Sequence, residues 1–102
     1  MRAIHVVFLD KPRPAVVLTR PALVGRMTRV TVAPITSTIR GLSTEVEVGP
    51  RNGLDRVSDI SVDNITTVPF DTLGDRIGIL LSDQEDTLAR AISIAFDLTP
   101  AP

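Results

Sequence analysis

Hydrophobic and polar residues alternate with a period of two along most of this chain, which is the pattern of strands with one buried face. The clearest case is TEVEV at residues 44–48, where the two glutamates share one face and the two valines share the other. Turns rich in Pro, Gly, Asp and Asn separate such segments. The pattern predicts strands at residues 3–9, 13–19, 28–35, 44–48, 57–65 and 76–81.

The carboxy-terminal segment has the spacing of a helix instead. Ser82 and Glu85 form a capping box that predicts the first turn of this helix. The apolar residues that follow recur every three or four positions and are expected to form one buried stripe: Leu88, Ala91, Ile92, Ala95 and Phe96. The predicted fold is therefore mainly β, with five or six short strands closed or nearly closed on themselves and one helix packed against them.

The composition indicates one small domain that spans residues 1–102. Hydrophobic residues make up 43% of the chain and are mostly Val, Ile and Leu, which favour strands. The chain has no cysteine, so a disulfide framework and a thiolate metal site are excluded. No apolar run is long enough to cross a bilayer, and the amino terminus lacks the pattern of a secretory signal. We therefore expect a cytoplasmic protein with no membrane partner.

Charge is unevenly distributed along the chain, although the net charge is only -1. Residues 1–51 hold eight Lys or Arg and three Asp or Glu, whereas residues 52–102 hold three and nine, so the halves carry +5 and -6. A basic half can supply one wall of a groove that attracts a nucleic-acid strand. The alternative interpretation is that mixed charges simply cover the surface of a soluble domain.

Two segments combine strand residues with groups that bind phosphate: KPRPAVVLTR at residues 11–20 and VAPITSTIRG at residues 32–41. Each segment runs a β-branched strand into or out of a polar end, so arginine and hydroxyls are expected to meet in one groove. The fixed donors of a guanidinium match a phosphate group, and hydroxyls can donate to the same oxygens. Hydroxyls and glycine are also common in loops without a catalytic role. The candidate residues are Lys11, Arg13, Thr36, Ser37, Thr38 and Arg40.

The same two segments resemble the signature of the MazF/PemK toxins, which are RNA-cutting toxins of bacterial type II toxin–antitoxin pairs. The family signature includes an R-P-A/V-V strand, here Arg13 to Val16, and a V-x-P-h-T-[ST] strand end, here Val32 to Ser37. Gly-Leu before the charged strand, Asp-Asn-Ile at residues 63–65 and Arg-Ile-Gly in the last strand match in the same order. The resemblance implies a small SH3-like β-barrel of the PemK/CcdB type with a C-terminal α-helix.

The resemblance also implies an activity. Members of the family cut single-stranded RNA at selected sequences, without a metal or another cofactor. The ribose 2′-hydroxyl attacks the adjacent phosphorus, which leaves a 2′,3′-cyclic phosphate and a free 5′-hydroxyl. Arg13 would stabilise the charge that develops on the phosphate, Thr36 and Ser37 would orient it, and Asp63 would contact RNA or position other groups. The implied partners are a second copy of the chain, with RNA at the subunit interface, and a cognate MazE-like antitoxin whose acidic tail competes with RNA.

Several points stay open at the level of sequence. The loop at residues 9–14 is shorter than family members commonly have, which makes Lys11 a candidate to restore lost positive charge. The identity of the general base stays open: arginine is a poor candidate because it stays protonated, and Asp63 and Asp10 are candidates. The only histidine, His5, lies in the middle of a predicted strand and is expected to be structural. The alternative functions are a noncatalytic CcdB-like poison that binds gyrase and an inactive adaptor of the same fold.

Overall fold

The computed structural model describes residues 2–98 of the chain. These residues form seven strands and one α-helix, and short 3-10 turns occupy Pro21–Leu23, Pro50–Asn52, Val62–Asn64 and Phe70–Thr72. The strands are β1 (Ala3–Phe8), β2 (Pro12–Val17), β3 (Arg29–Thr36), β4 (Glu45–Val48), β5 (Ser58–Ser61), β6 (Thr66–Pro69) and β7 (Leu73–Ile79). The helix α1 spans Ser82–Ala95. No helix in residues 2–98 is long and apolar enough to cross a membrane.

All strand pairs are antiparallel, and the order in the sheet is β4-β5-β3-β2-β1-β7, with β6 also paired to β3. β3 is the longest strand and is shared between partners. Its first half, Arg29 to Val32, pairs with β6, and its last residues, Ile35 and Thr36, pair with β5. Within residues 2–98, β4 and β7 do not pair with each other. The mainly β fold with a carboxy-terminal helix is therefore confirmed, but the barrel is not closed.

Both faces of the central strands are buried, which explains why these strands are rich in valine. On β2, Val16 packs into the core beneath α1, whereas its neighbour Val17 packs into a second core on the opposite face with Val32. Leu88 of α1 belongs to the first core and is only 2% exposed. The second core is covered in part by the connector between β2 and β3, from which Val24 packs against it.

The predicted strand at residues 57–65 is too long. The strand ends at Ser61, and the next residues, Val62–Asn64, form a 3-10 turn that is closed by a hydrogen bond from the Ile65 N–H to the Val62 carbonyl (3.3 Å). Asn64 Nδ2 donates to Ser61 Oγ across the same turn (2.6 Å). Asp and Asn side chains favour such turns over strands. Asp63 therefore lies on a turn instead of a strand face.

The helix begins where it was predicted, but its cap is different. Ser82 is the first helical residue, and the N-cap is Leu81. The Leu81 backbone N–H donates a hydrogen bond to Gln84 Oε1 (2.9 Å). The glutamine of the first turn thus takes the part that the sequence assigned to Glu85. Phe96 follows the end of the helix and is 55% exposed, so it does not belong to the buried stripe.

The last strand also differs from its predicted span. β7 covers Leu73–Ile79, so it begins three residues earlier than the predicted strand at 76–81 and ends two residues earlier. Pairing with β1 explains this extent, because the register runs from Val7 opposite Leu73 to Ala3 opposite Ile79. β7 therefore lies along the whole of β1, including the part next to the β1–β2 turn.

Candidate active site

The amino end of β2 and the carboxyl end of β3 meet at one cleft of about 590 Å³, here called the main cleft. Arg13 from β2 and the hydroxyl residues Thr36, Ser37 and Thr38 at the end of β3 all line it. This arrangement arises because β2 and β3 are antiparallel neighbours, so the start of one lies beside the end of the other. The structure therefore brings Arg13 and the three hydroxyl residues together in one cleft, as the sequence predicted.

A smaller cleft of about 240 Å³, the side cleft, adjoins the first. Arg13, Thr36 and Thr38 line both clefts, whereas Arg40 and Asp63 line only the side cleft. Six of the seven predicted site residues are therefore brought together around a shared wall. The exception is Lys11, which is exposed on the β1–β2 turn and lines neither cleft.

Arg13 is held by its backbone more than by side-chain contacts. Prolines at positions 12 and 14 flank it, and each proline fixes its own φ angle and favours an extended residue before it. Its guanidinium is half exposed and lies 3.8 Å from the carboxylate of Asp10, which is 75% exposed. Such an exposed ion pair is worth only about 0–1 kcal/mol. A phosphate group can therefore displace Asp10 at little cost.

Thr36 is positioned by a local turn and by the sheet. It is the last residue of β3 and lies opposite Asp59 of β5. Its Oγ1 accepts a hydrogen bond from the Thr38 backbone N–H (3.1 Å). A hydroxyl that accepts one bond in this way still has its own proton to donate. Thr36 lines both clefts, so this proton is available to a ligand in either of them.

Asp63 and the loop before β4 are fixed by two further side chains. Thr44 Oγ1 donates to Asp63 Oδ2 (2.5 Å), which holds this carboxylate at the side cleft. Glu45 Oε1 accepts from the backbone N–H groups of Arg40 (3.2 Å) and Leu42 (3.0 Å), and this shapes the loop that carries Arg40. Arg40 and Asp63 are thus each supported by a neighbouring residue, Glu45 at the start of β4 and Thr44 just before it.

Asp59 lies opposite Thr36 in the sheet and carries a carboxyl whose charged form is disfavoured. Burial of its carboxyl raises its pKa, and the neighbouring Glu45 and Glu47 raise the pKa further by charge repulsion and, for Glu45, by a hydrogen bond. Asp59 is 5% exposed and pairs with Thr36 in the sheet. The sequence suggested no role for Asp59, since nothing in the local pattern shows which glutamates it meets across β4.

Sequence reasoning also missed Arg56, which lines the main cleft with the predicted residues. It follows the loop at residues 49–54, and that loop is held by a buried pair of amide side chains. Asn52 Nδ2 donates to Gln84 Oε1 (2.6 Å), and Gln84 Nε2 donates to Asn52 Oδ1 (3.0 Å). Asn52 also accepts from the Gly49 N–H (3.0 Å) and donates to the Ile79 carbonyl (3.0 Å).

Glycines allow this loop to lie directly on β7. Gly53, which lines the main cleft, has φ +93°, a conformation that favours glycine. A Cβ atom on Gly78 would collide with the backbone oxygen of Asn52. The Asn-Gly sequence at residues 52–53 was a sign of a turn, but no sequence signal shows that the turn packs against β7.

The two other candidates stand apart from the clefts. His5 Nδ1 lies 2.9 Å from the Gly74 carbonyl oxygen, and the residue is partly buried on β1 outside both linings. Asp10 contacts the site only through its ion pair with Arg13. Within residues 2–98, no three His, Asp or Glu side chains are grouped so that they could hold a metal ion.

An arginine and a row of hydroxyls at the end of an antiparallel sheet give this small β protein a cleft whose donors suit phosphate oxygens. Comparison with known proteins identifies the class further. Residues 9–96 match the family described as PemK-like, MazF-like toxin of type II toxin-antitoxin system. The chain belongs to this family.

Relatives with known names or structures agree over nearly the whole chain. It is 54% identical over 98 residues to "Endoribonuclease MazF3" of Mycobacterium tuberculosis, which covers 96% of this chain and 95% of that protein. The solved structure "Mycobacterium tuberculosis toxin MazF-mt6" has a TM-score of 0.94 and 52% identity, and covers 97% of this chain and 100% of that one. A mycobacterial "Endoribonuclease in complex with its cognate antitoxin" has a TM-score of 0.84 and 26% identity, with 98% and 95% covered.

Proposed function

We propose that this chain cuts single-stranded RNA at selected sequences by transesterification, and that Arg13 and Thr36 act directly on the scissile phosphate. The observation that carries the proposal is that these two residues line the main cleft and the side cleft together. A phosphate at this shared wall meets a guanidinium and a hydroxyl donor at once, and both chemical groups suit its oxygens.

The coarser part of this function follows from the family and from its relatives. Membership in a toxin family of type II toxin–antitoxin systems, with 54% identity to a protein named endoribonuclease, confirms the prediction of a toxin–antitoxin endoribonuclease. The alternative of a gyrase-binding poison is not favoured, because the named relatives are endoribonucleases. The reaction products, the sequence preference and the roles of single residues belong to the proposal.

The proposed reaction is an attack of the ribose 2′-oxygen on the adjacent phosphorus. A base takes the 2′-hydroxyl proton, the new P–O2′ bond forms, and the P–O5′ bond breaks as the 5′-oxygen gains a proton from solvent. Negative charge accumulates on the nonbridging oxygens in the transition state, and Arg13 and Thr36 stabilise it there. DNA lacks the 2′-hydroxyl and is not cut. Because the nucleophile belongs to the substrate, no metal-bound water is required.

Asp63 is the better of the two candidate bases. Its carboxylate lines the side cleft together with Arg13 and Thr36, whereas Asp10 lines neither cleft. The hydrogen bond from Thr44 leaves the second carboxylate oxygen, Oδ1, to accept a proton. Ser37, Thr38 and Arg40 lie in the right clefts to contact the flanking nucleotides. Lys11, on the exposed turn next to Arg13, attracts the RNA by its charge alone.

Two partners complete the proposal. A cognate MazE-like antitoxin binds with an acidic segment over the clefts, because carboxylates compete with phosphate for the same arginine and hydroxyl donors. The mycobacterial endoribonuclease that was solved with its antitoxin, at 26% identity, makes this type of partner reasonable. The second partner is another copy of the chain, with RNA in a groove at the subunit interface. The site of action is the cytoplasm, where the RNA substrate is made.

The test is cleavage of a long unstructured RNA in EDTA, followed by mapping of the new ends. Discrete cuts that bear 2′,3′-cyclic phosphates and 5′-hydroxyls are expected from the wild-type chain, and Arg13→Ala should abolish them. Arg29→Ala is the matched control, because Arg29 is an exposed strand arginine outside both clefts. Equal cleavage by all three proteins would remove Arg13 from the reaction. Cuts that end in 5′-phosphates would contradict transesterification.

A further inference from the structure

A third cleft, of about 560 Å³, lies between the start of β1, the end of β2 and β7, and is called here the arginine cleft. Arg2, Arg20 and Arg76 line it, and it shares no lining residue with the main cleft or the side cleft. Three arginines thus line one cleft that the proposed reaction does not use.

The positive charge of this cleft is not neutralised. Its only carboxylate is Glu85, so its ionisable side chains sum to +2. Arg2 Nη1 donates to the Leu18 carbonyl (2.7 Å), which holds this guanidinium in the cleft. The guanidiniums of Arg20 and Arg76 make no hydrogen bond and no ion pair with any of residues 2–98. Their donors are therefore available to a ligand.

The side-chain acceptors of the arginine cleft, in contrast, already accept hydrogen bonds from the backbone. Glu85 Oε1 accepts from the Arg2 backbone N–H (3.1 Å), and Thr19 Oγ1 accepts from the Thr31 backbone N–H (2.8 Å). The remaining surface includes the apolar side chains of Val17 and Val24. The cleft thus offers free donors beside an apolar floor, which fits a ligand with an anionic, acceptor-rich group and a flat face, such as a nucleotide.

Most of the backbone around the cleft is unavailable to a peptide ligand. An extended peptide gains affinity from the free edge of a strand. Here β1 is paired on both sides, with β2 and β7, and β2 is paired with β1 and β3, so among these three strands of residues 2–98 only β7 has a free edge. β7 contributes to the cleft through Arg76. The arginines are therefore the main recognition groups of the cleft, and their charge suits a phosphate.

The position of the cleft connects it with the active site. Ile77 lines the main cleft, and its neighbour on β7, Arg76, lines the arginine cleft. The register between β1 and β7 is irregular at this point, because Ile4 lies opposite Gly78 and His5 lies opposite Arg76, and the two clefts flank the same edge strand here. We propose that the arginine cleft binds a backbone phosphate of the RNA strand after the strand leaves the main cleft and passes over β7. This inference rests on the proposed function for the identity of the ligand.

The test is the salt dependence of RNA binding. The probe is a long unstructured RNA with 2′-O-methyl riboses, which lacks the nucleophile and stays intact. The variant is Arg20→Ala with Arg76→Ala, and the matched control removes two exposed arginines outside all three clefts, Arg29→Ala with Arg90→Ala. Each lost phosphate contact lowers the slope of log K against log salt by about 0.7 for a single strand. Because the cleft is proposed to bind one phosphate, we expect a slope that is shallower by about 0.7 for the cleft variant and unchanged for the control.

The possible outcomes separate the alternatives. A slope equal to the wild type, or an equal change in the control, overturns the proposal. A fluorescent polyglutamate peptide is run in parallel, and loss of peptide binding with unchanged RNA binding would identify a peptide site and also overturn it. If the alanine variant unfolds by circular dichroism, Arg20→Gln with Arg76→Gln keeps the side-chain stems and decides instead. The cleavage assay on wild-type protein reports on the proposed function independently, because a chain that binds RNA through this cleft without cutting it would contradict only that function.

Discussion

Replacement of Asn52 by alanine tests how the wall of the main cleft is held. Asn52 is 1% exposed and its side chain makes four hydrogen bonds, two of them with Gln84 and one each with Gly49 and Ile79. At about 1 kcal/mol for each net bond, Asn52→Ala should lower the free energy of unfolding by roughly 4 kcal/mol. This is a large part of the 5–15 kcal/mol or so that stabilises a typical domain. The variant should therefore be close to unfolding at physiological temperature.

A double-mutant cycle with Gln84→Ala isolates the amide pair. Two of the four bonds join Asn52 directly to Gln84, so the double variant should lose less than the sum of the single losses, by roughly 2 kcal/mol. Asn64→Ala is the control, because the amide of Asn64 is also hydrogen-bonded but lies on an exposed turn. Its loss should stay below about 1 kcal/mol.

The measurement is urea unfolding followed by far-UV circular dichroism, since the chain has neither Trp nor Tyr. The reasoning is refuted if Asn52→Ala costs no more than the Asn64 control, or if the losses of the two single variants are additive. In the first case the loop would be held by its backbone alone. In the second case each amide would act on its own surroundings, and the pair would not connect the loop with α1.

Three further predictions concern the site and its support. Asp59→Asn should be more stable than the wild type at neutral pH, because a raised pKa means that the folded state loses stability as pH rises above the usual carboxyl range. The melting temperatures of the two proteins should converge below about pH 3, where the carboxyl is protonated in both the folded and the unfolded state. A difference in melting temperature that does not change with pH would contradict this. Gly78→Ala should fail to fold or lose several kcal/mol by urea unfolding, because its Cβ would meet the backbone of Asn52, and a near-native midpoint would exclude this packing. Arg56→Ala should lower kcat/KM for RNA roughly 10-fold or more without changing stability, because one charge-assisted hydrogen bond to RNA is lost. Unchanged kinetics would place Arg56 outside the RNA path.

The parts of the molecule that local pattern controls were predictable. Arg13 and Thr36 lie near the ends of β2 and β3, and the alternating or valine-rich pattern of these two strands predicted where they run. The turn at Asp63 was misread as strand because the apolar alternation of Ile60 and Val62 continues into it. Local hydrogen bonds of Asn64 override that alternation.

The parts that depend on distant residues were not predictable. The side of the main cleft that carries Arg56 is positioned by a contact between Asn52 and Gln84, which are 32 residues apart. The Gln84 side chain bonds three residues: besides its pairing with Asn52, it accepts from the Leu81 N–H and donates to the Glu47 carbonyl (3.2 Å). A residue that caps a helix and one that anchors a loop have the same appearance in a sequence. Only the fold shows that Gln84, and not Glu85, caps α1.

The same contact has a consequence for when this toxin becomes harmful. The wall of the main cleft rests on β7 and on Gln84 of α1, which are synthesised after Arg13 and Thr36. The pairing of β1 with β7 likewise waits until β7 has been synthesised, because it joins residues that lie far apart in sequence. A nascent chain that ends before β7 therefore carries Arg13 and Thr36 without the opposite wall. A cell that makes this protein meets an assembled cleft only after α1 has left the ribosome.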